Sequence, residues 1–300
     1  MTGVDPRVSI VVITRDRVRD LLNALTHLSA LVEQPRILVV DNGSSDETVA
    51  EVRLRFPAVE LIPLHENQGA AARNVAVARI TTPYVAFADD DSWWAPGALT
   101  QAADLLDCHP RLALVNAHIL VGPDERDDPI CLEMAESPLP NQPGQPGHPL
   151  LSFIACAAMV RREPFEVAGG FHPRLSVGGE EEILGHDLVG AGWQLSYVPE
   201  IVVHHHASVN RDAHERRATG IRNTLWTTWL RRPVGPAFVR TVRLLRRLPR
   251  DRVTARGLRQ GLAGAPWVLR ERKVSPHHVE VGRQLLEDQQ LNSRARRYVS

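Results

Sequence analysis

The strongest constraint on the fold is a unit that recurs before residue 92: a short apolar run, a polar tip, and then a segment with apolar residues at helical spacing. Residues 8–13, rich in Val and Ile, have the composition of a parallel strand buried on both faces. They stop at Thr14, Arg15, Asp16 and Arg17, and Leu21, Leu22, Leu25, Leu28 and Leu31 follow at a spacing that predicts a helix. The next strand, 36–40, ends in Asp41, Asn42 and Gly43, with Ser45 placed to cap a helix over 47–56. A third, 59–63, leads to Asn67, Gln68, Gly69 and a helix over 70–79, and the fourth, 84–88, ends in Asp89, Asp90 and Asp91. This alternation implies an α/β fold with a doubly wound, mostly parallel sheet flanked by helices. Such sheets bind ligands beyond the carboxyl ends of their strands, so Thr14, Arg15, Asp41, Asn67, Gly69 and the three aspartates belong to one crevice.

Three adjacent carboxylates at the mouth of a buried strand repel one another, and a cation or raised pKa values must offset that. A hard divalent ion such as Mn²⁺ or Mg²⁺ does so with oxygen ligands. Alternation along an extended chain puts Asp89 and Asp91 on one side, predicting an Asp-x-Asp clamp, with Asp90 on the other. A solvated acidic turn ahead of a helix from Pro96 is the competing reading.

Further on, 113–121 and 150–160 read as core strands, and 123–149, rich in Pro, Gly and acids, as a long surface loop. A turn at 168–171 precedes Gly178, Gly179, Glu180, Glu181 and Glu182, which open a helix through Gly190. A last strand, 196–203, bent at Pro199, runs into His204, His205 and His206.

The net charge of zero hides a division. Residues 1–206 carry 14 Arg against 28 acids, and residues 207–300 carry 21 Lys and Arg against 7, so the halves stand at −14 and +14. Cys108, Cys131 and Cys156 follow no disulfide or zinc spacing. No secretory signal or membrane-spanning run is evident, which predicts a cytoplasmic protein.

The ordered motifs resemble family 2 glycosyltransferases, inverting enzymes of the GT-A fold that use nucleotide sugars. They are Val-Ser-Ile-Val-Val-Ile-Thr-Arg (8–15), Val-Val-Asp-Asn-Gly-Ser-Ser-Asp (39–46), Asn-Gln-Gly-Ala-Ala-Ala-Arg-Asn (67–74), the Asp triplet with Pro96, Gly-Gly-Phe (169–171), Gly-Glu-Glu-Glu (179–182) and the His triplet. The segment 222–230 is similar to one in rhamnosyltransferase-like members. The resemblance implies that Thr14, Arg15 and Asp41 line the nucleoside pocket. Asn67, Gly69, Arg73, Asp89 and Asp90 would face the rest of the donor, and Asp89, Asp91 and His205 would hold Mn²⁺ or Mg²⁺. It implies a catalytic base at Glu181, where the family usually has Asp, with the choice among Glu180, Glu181 and Glu182 open. Trp93 and Trp94 either stack on a sugar or pack.

The two expected regions are a nucleotide-sugar-binding catalytic domain, 1–206, and a basic helical extension, 207–300, disordered from 288. Phe238, Val242, Leu245 and Leu248 alternate with Arg240, Arg243, Arg246, Arg247 and Arg250, which fits a helix lying on anionic lipid or one packed against the acidic domain. The expected partners are a UDP- or dTDP-sugar and a hydroxyl acceptor on a glycan, a lipid-linked intermediate or a small molecule, with no nucleic acid. A sugar nucleotidyltransferase and a catalytically degenerate binding protein are the alternatives.

Overall fold

The computed structural model describes residues 4–206 and 213–292. The elements in chain order are β1 (Val8–Thr14), α1 (Val18–Ser29), β2 (Arg36–Asp41), α2 (Thr48–Arg55), β3 (Glu60–Pro63), α3 (Ala72–Val77), β4 (Tyr84–Asp89), β5 (Ser92–Trp94), α4 (Ala98–Cys108), β6 (Leu112–Val121), β7 (Arg126–Asp127), α5 (Pro129–Ala135), β8 (His148–Pro149), β9 (Ala158–Arg161), α6 (Arg162–Val167), α7 (Glu180–Gly190) and β10 (Gln194–His205). Five helices follow: α8 (Ala213–Arg231), α9 (Val234–Arg247), α10 (Arg252–Ala263), α11 (Ala265–Arg270) and α12 (His277–Asn292).

The strands form one sheet in the order β3-β2-β1-β4-β9-β6-β10-β5, with β7 beside β6 and β8 beside β10. β1 to β4 form its parallel half, where Ile10, Val11 and Val12 are fully buried between helical layers. The order reverses at β1, whose successor β2 lies on one side and β4 on the other, and the crevice between them is where such sheets bind ligands. β9 runs antiparallel to both β4 and β6. The excursion over 122–157 leaves β6 at the carboxyl end and passes the start of β10, where His148 and Pro149 pair with Tyr197 and Ser196 and Gln145 donates to Leu195 O at 2.9 Å, before it returns to begin β9. That excursion is not the structureless loop expected. β7, α5 and β8 lie within it, with the Asp128 side chain accepting from Ile130 N at 2.9 Å and Pro129 at the first helical position. The core strand expected over 150–160 is reduced to β9, preceded by a short 3₁₀ turn at Ala155–Ala157.

A second small core (Leu175, Ile183, Trp226, Leu230, Trp267 and Val268) joins α7 to α8 and α11. Two ion pairs reinforce the join: Arg231 takes Asp187 in a fork at 2.9 and 2.7 Å, and Arg283 reaches Glu182 at 2.6 Å. Burial and the Arg283 charge hold His186 neutral, its pKa lowered to about 3, and its Nδ1 faces the Arg283 guanidinium at 3.3 Å. α12 continues to Asn292, so disorder from 288 does not hold for 288–292; residues 293–300 lie outside the described chain. Among the described residues no helix is long and apolar enough to cross a membrane.

Candidate active site

Sheet register assembles the site. Thr14 is paired with Asp41, and Ile13 with Asp89, so the last residues of β1, β2 and β4 stand at one level. Their loops are stitched together. Asp16, at φ 51°, accepts from Ser45 N and Oγ at 2.6 and 3.0 Å, and its own N–H donates to Ser44 Oγ at 2.9 Å. Asp41 is buried and accepts from Ser44 N at 3.3 Å. Ser45 therefore does not cap α2; Asp46 serves that helix start, accepting from Thr48 N at 3.0 Å. Asn42, also buried, donates to Gly69 O at 3.0 Å and accepts from Gln68 N at 2.9 Å, tying β2 to the 67–69 loop.

The aspartates do not alternate as an extended strand would have them, because β4 ends at Asp89 and Asp90 and Asp91 form a turn. Arg17 Nη1 lies 3.0 Å from Asp90 Oδ1 and 3.6 Å from Asp91 Oδ2, and Thr14 Oγ1 donates to Asp90 Oδ2 at 3.0 Å. Burial pushes the Asp90 carboxyl up to about 7 against the pull of Arg17, with Asp91 and Asp89 adding to the rise. Asp91 Oδ1 is 3.3 Å from His205 Nε2. Asp89 turns the other way, to an ion pair with Arg73 Nη2. Arg73 is 4% exposed, its guanidinium 5.3 Å from the Phe171 ring, and its Nε has no hydrogen-bond partner among the described residues.

The acidic start of α7 closes the crevice. Glu180 is 6% exposed, with Oε2 unpartnered among the described residues, and burial raises its pKa. Glu181 Oε1 accepts the Ala155 N–H at 2.6 Å, and burial followed by the Glu180 charge pushes its carboxyl up to about 8. Glu182 faces away, to Arg283. Of the two glycines ahead of these acids, Gly179 answers to packing. Gly179 has φ 93°, and a methyl there would stand 2.7 Å from Thr227 Cγ2, while Asn223 Nδ2 donates to the Val177 and Gly178 carbonyls at 3.0 and 2.7 Å. Gly69, at φ 59°, permits a similar approach: a methyl would lie 2.5 Å from Ser176 O. Cys156 is buried beside these acids; burial, then Asp89, Glu181 and Asp91, raises its thiol pKa well above normal.

The model of glycosyl transferase family 2 matches residues 9–169 of this chain. The chain belongs to that family. Over 263 residues it is 28% identical to an N-acetylglucosaminyl-diphospho-decaprenol L-rhamnosyltransferase of Mycobacterium tuberculosis, covering 75% of this chain and 83% of the relative. It is 30% identical over 223 residues to a pre-mycofactocin glycosyltransferase of the same organism, covering 70% of this chain and 45% of that one. Among solved structures, a mannosyltransferase of Pyrobaculum calidifontis in complex with GDP-Man and Mn²⁺ superposes with a TM-score of 0.53 at 17% identity, covering 96% of this chain and 76% of that one. GalNAc-T7 with UDP, GalNAc and Mn²⁺ gives a TM-score of 0.59 at 15% identity, over 89% and 56%. The fold is the GT-A type, and the family decides for a glycosyltransferase over a nucleotidyltransferase.

Within this glycosyltransferase, Thr14, Asp41, Arg73, Asp89, Asp90, Asp91, Glu181 and His205 all lie at the one end of the sheet. Arg15 is half exposed, 3.4 Å from Asp16, and the cation on Asp90 and Asp91 is Arg17, which has no role in the sequence reading. Asn67 is exposed and accepts from Gly69 N at 2.8 Å, shaping its own loop. Trp93 and Trp94 are packing residues: Trp94 is fully buried with Nε1 on Phe87 O, and Trp93 stacks on His27 at 4.1 Å. His204 and His206 share the Trp93 face, and His205 takes the Asp91 side. Among the described residues no three His, Cys, Asp or Glu side chains are disposed to hold a metal by themselves.

Proposed function

We propose that this glycosyltransferase is a metal-dependent, inverting enzyme that moves a sugar from a UDP- or dTDP-linked donor to a hydroxyl on a glycan, a lipid-linked intermediate or a small molecule. The register that levels Thr14, Asp41 and Asp89, with the Glu181 carboxyl within Coulombic reach of Asp89 and Arg73, carries this reading. Thr14 and Asp41 flank the nucleoside, with Arg15 and Asn67 at its rim. Arg73, together with Arg17, supplies positive charge toward the diphosphate. The donor atoms suit Mn²⁺ or Mg²⁺: Asp91 and His205, 3.3 Å apart, offer hard oxygen and imidazole ligands, Asp89 would join them on turning from Arg73, and phosphate oxygens would complete the shell. An ion held there would supply electrostatic stabilisation of the charge on the departing diphosphate.

Glu181 takes the acceptor hydroxyl's proton as that oxygen attacks the anomeric carbon. The Ala155 N–H fixes one carboxylate oxygen and leaves the other for the proton. A carboxylate with raised proton affinity is the stronger base once ionised. The relative that adds L-rhamnose to a decaprenol-linked diphosphate supports a lipid-linked acceptor. The test is a thermal-shift screen of UDP-, dTDP- and GDP-sugars with Mn²⁺, Mg²⁺ or EDTA, run on wild type and Glu181→Gln. A metal-dependent shift of both proteins by one nucleotide class, with transfer lost in the variant, is expected. Unchanged transfer by Glu181→Gln overturns the base assignment.

A further inference from the structure

Nine of the fifteen exposed large apolar side chains among the described residues lie beyond residue 233, and four are on α9. At 100° per residue Val234, Phe238, Val242 and Leu245 fall within about 80° of one another on that helix. Val234 is 64% exposed, Phe238 61% and Leu245 48%. Only Ala237 of α9 is fully buried, so the helix touches the body of the protein along a narrow edge and presents an apolar stripe outward.

The arginines around this stripe differ from those elsewhere in the helical region. Arg231, Arg232 and Arg283 are held in ion pairs with Asp187, Glu280 and Glu182. Arg246, Arg247, Arg250 and Arg252 have no acidic partner among the described residues and lie exposed at the end of α9 and the turn into α10. On the same spacing Arg246 lies about 40° beyond Val242, at the edge of the stripe, Arg247 is on the far side at the helix end, and Arg240 and Arg243 are paired with Glu287. An exposed apolar stripe with unpaired arginines at its edge and end is the layout of a helix lying in the plane of a bilayer, apolar side chains between acyl chains and cations near phosphates. We infer that α9 docks this glycosyltransferase on an anionic membrane surface, with Val234, Phe238 and Leu245 inserted, Arg246 on lipid phosphates and Arg247 at the helix end adding to the attraction toward the anionic surface. The inference is independent of donor chemistry and is tested without donor.

Full-length protein is sedimented with phosphatidylcholine vesicles and with vesicles that also contain phosphatidylglycerol, at low and physiological salt. Wild type is expected to bind the anionic vesicles at least about tenfold more tightly than the neutral ones, with salt weakening it. Phe238→Ser with Leu245→Ser, at an unchanged melting temperature, is expected to lose at least about tenfold. Arg246→Gln with Arg247→Gln loses up to about 25-fold, at about fivefold per charge, and flattens the salt dependence. In wild type, hydrogen exchange over 234–247 slows when anionic vesicles are added. Equal binding to both vesicle types, double variants that bind like wild type, or no added protection of 234–247 overturns the inference. So does a wild-type dimer in light scattering that the Phe238 and Leu245 changes abolish, because the stripe would then be a contact between copies.

Discussion

The carboxyl end of the sheet and the helical third handle charge in opposite ways. At the sheet, acids crowd faster than cations can match them: Arg17 and Arg73 serve Asp89, Asp90 and Asp91, and Glu180 and Glu181 have no arginine contact closer than the Coulombic reach of Arg73. Burial first, and the neighbouring acids after it, raise proton affinity at Asp90, Glu180 and Glu181. In the helical third Arg231, Arg232 and Arg283 are buried, each with a carboxylate, whereas Arg246, Arg247, Arg250 and Arg252 are exposed with none among the described residues. Net charge alone describes neither region. What matters is whether each charge has its partner inside the fold or awaits one outside it.

The sharpest break in that comparison is Glu181→Gln. Removing a general base costs on the order of 10²- to 10⁴-fold in kcat, while donor-induced stabilisation stays as in wild type; a stopped or coupled assay for released nucleoside diphosphate reads the first and melting curves the second. Next is Arg231→Ala, which strands Asp187 beside the second core. Breaking a largely buried pair from one side costs about 3 kcal/mol or more, measured by denaturant unfolding, whereas a loss below about 1 kcal/mol would show that the pair is a surface ornament. Gly69→Ala forces a left-handed backbone and a clash with Ser176 O; a loss of about 1–3 kcal/mol and weaker donor binding are expected in the same melts.

The pH dependence follows from Glu181. Its folded pKa is raised to about 8, so the carboxyl is protonated at neutral pH in the donor-free enzyme. As a base it acts only when ionised, so kcat/KM rises with pH up to about 8, falling about tenfold per unit below that. The same group binds a proton more tightly folded than unfolded, so its contribution to stability is present below the ordinary carboxyl range and is lost as pH rises toward 8. Melting temperatures of wild type and Glu181→Gln taken across that range diverge accordingly. The smallest effect belongs to the exposed set: Arg246→Gln with Arg247→Gln leaves unfolding free energy within about 0.5 kcal/mol of wild type.

The sheet was readable because its inner strands are apolar on both faces, which makes short unbroken runs bounded by polar tips, and the doubly wound order then puts those tips together. Thr14, Asp41 and Asp89 were legible for that reason. Arg17 was not, because nothing in a four-residue loop says which arginine turns inward, and the structure chose the one abutting α1 over Arg15. The relation among the aspartates was misjudged because alternation holds only while a strand continues, and β4 stops at Asp89. α5 had a local signal, Asp128 before Pro129, that the Pro- and Gly-rich composition around it obscured. Asn42, Cys156 and Asn223 act through partners 26 residues or more away in the chain or by sheer enclosure, and one sequence carries no mark of either.

Asn223 and Thr227 grip the Val177–Gly179 turn from a helix more than 40 residues downstream, directly ahead of the proposed base. Catalysis and the helical third are thus inherited together. A lineage that replaced the C-terminal helices to reach a new acceptor would also have to supply a side chain that seizes those two carbonyls and a small contact against Gly179, or its new specificity would come with a base no longer held in place.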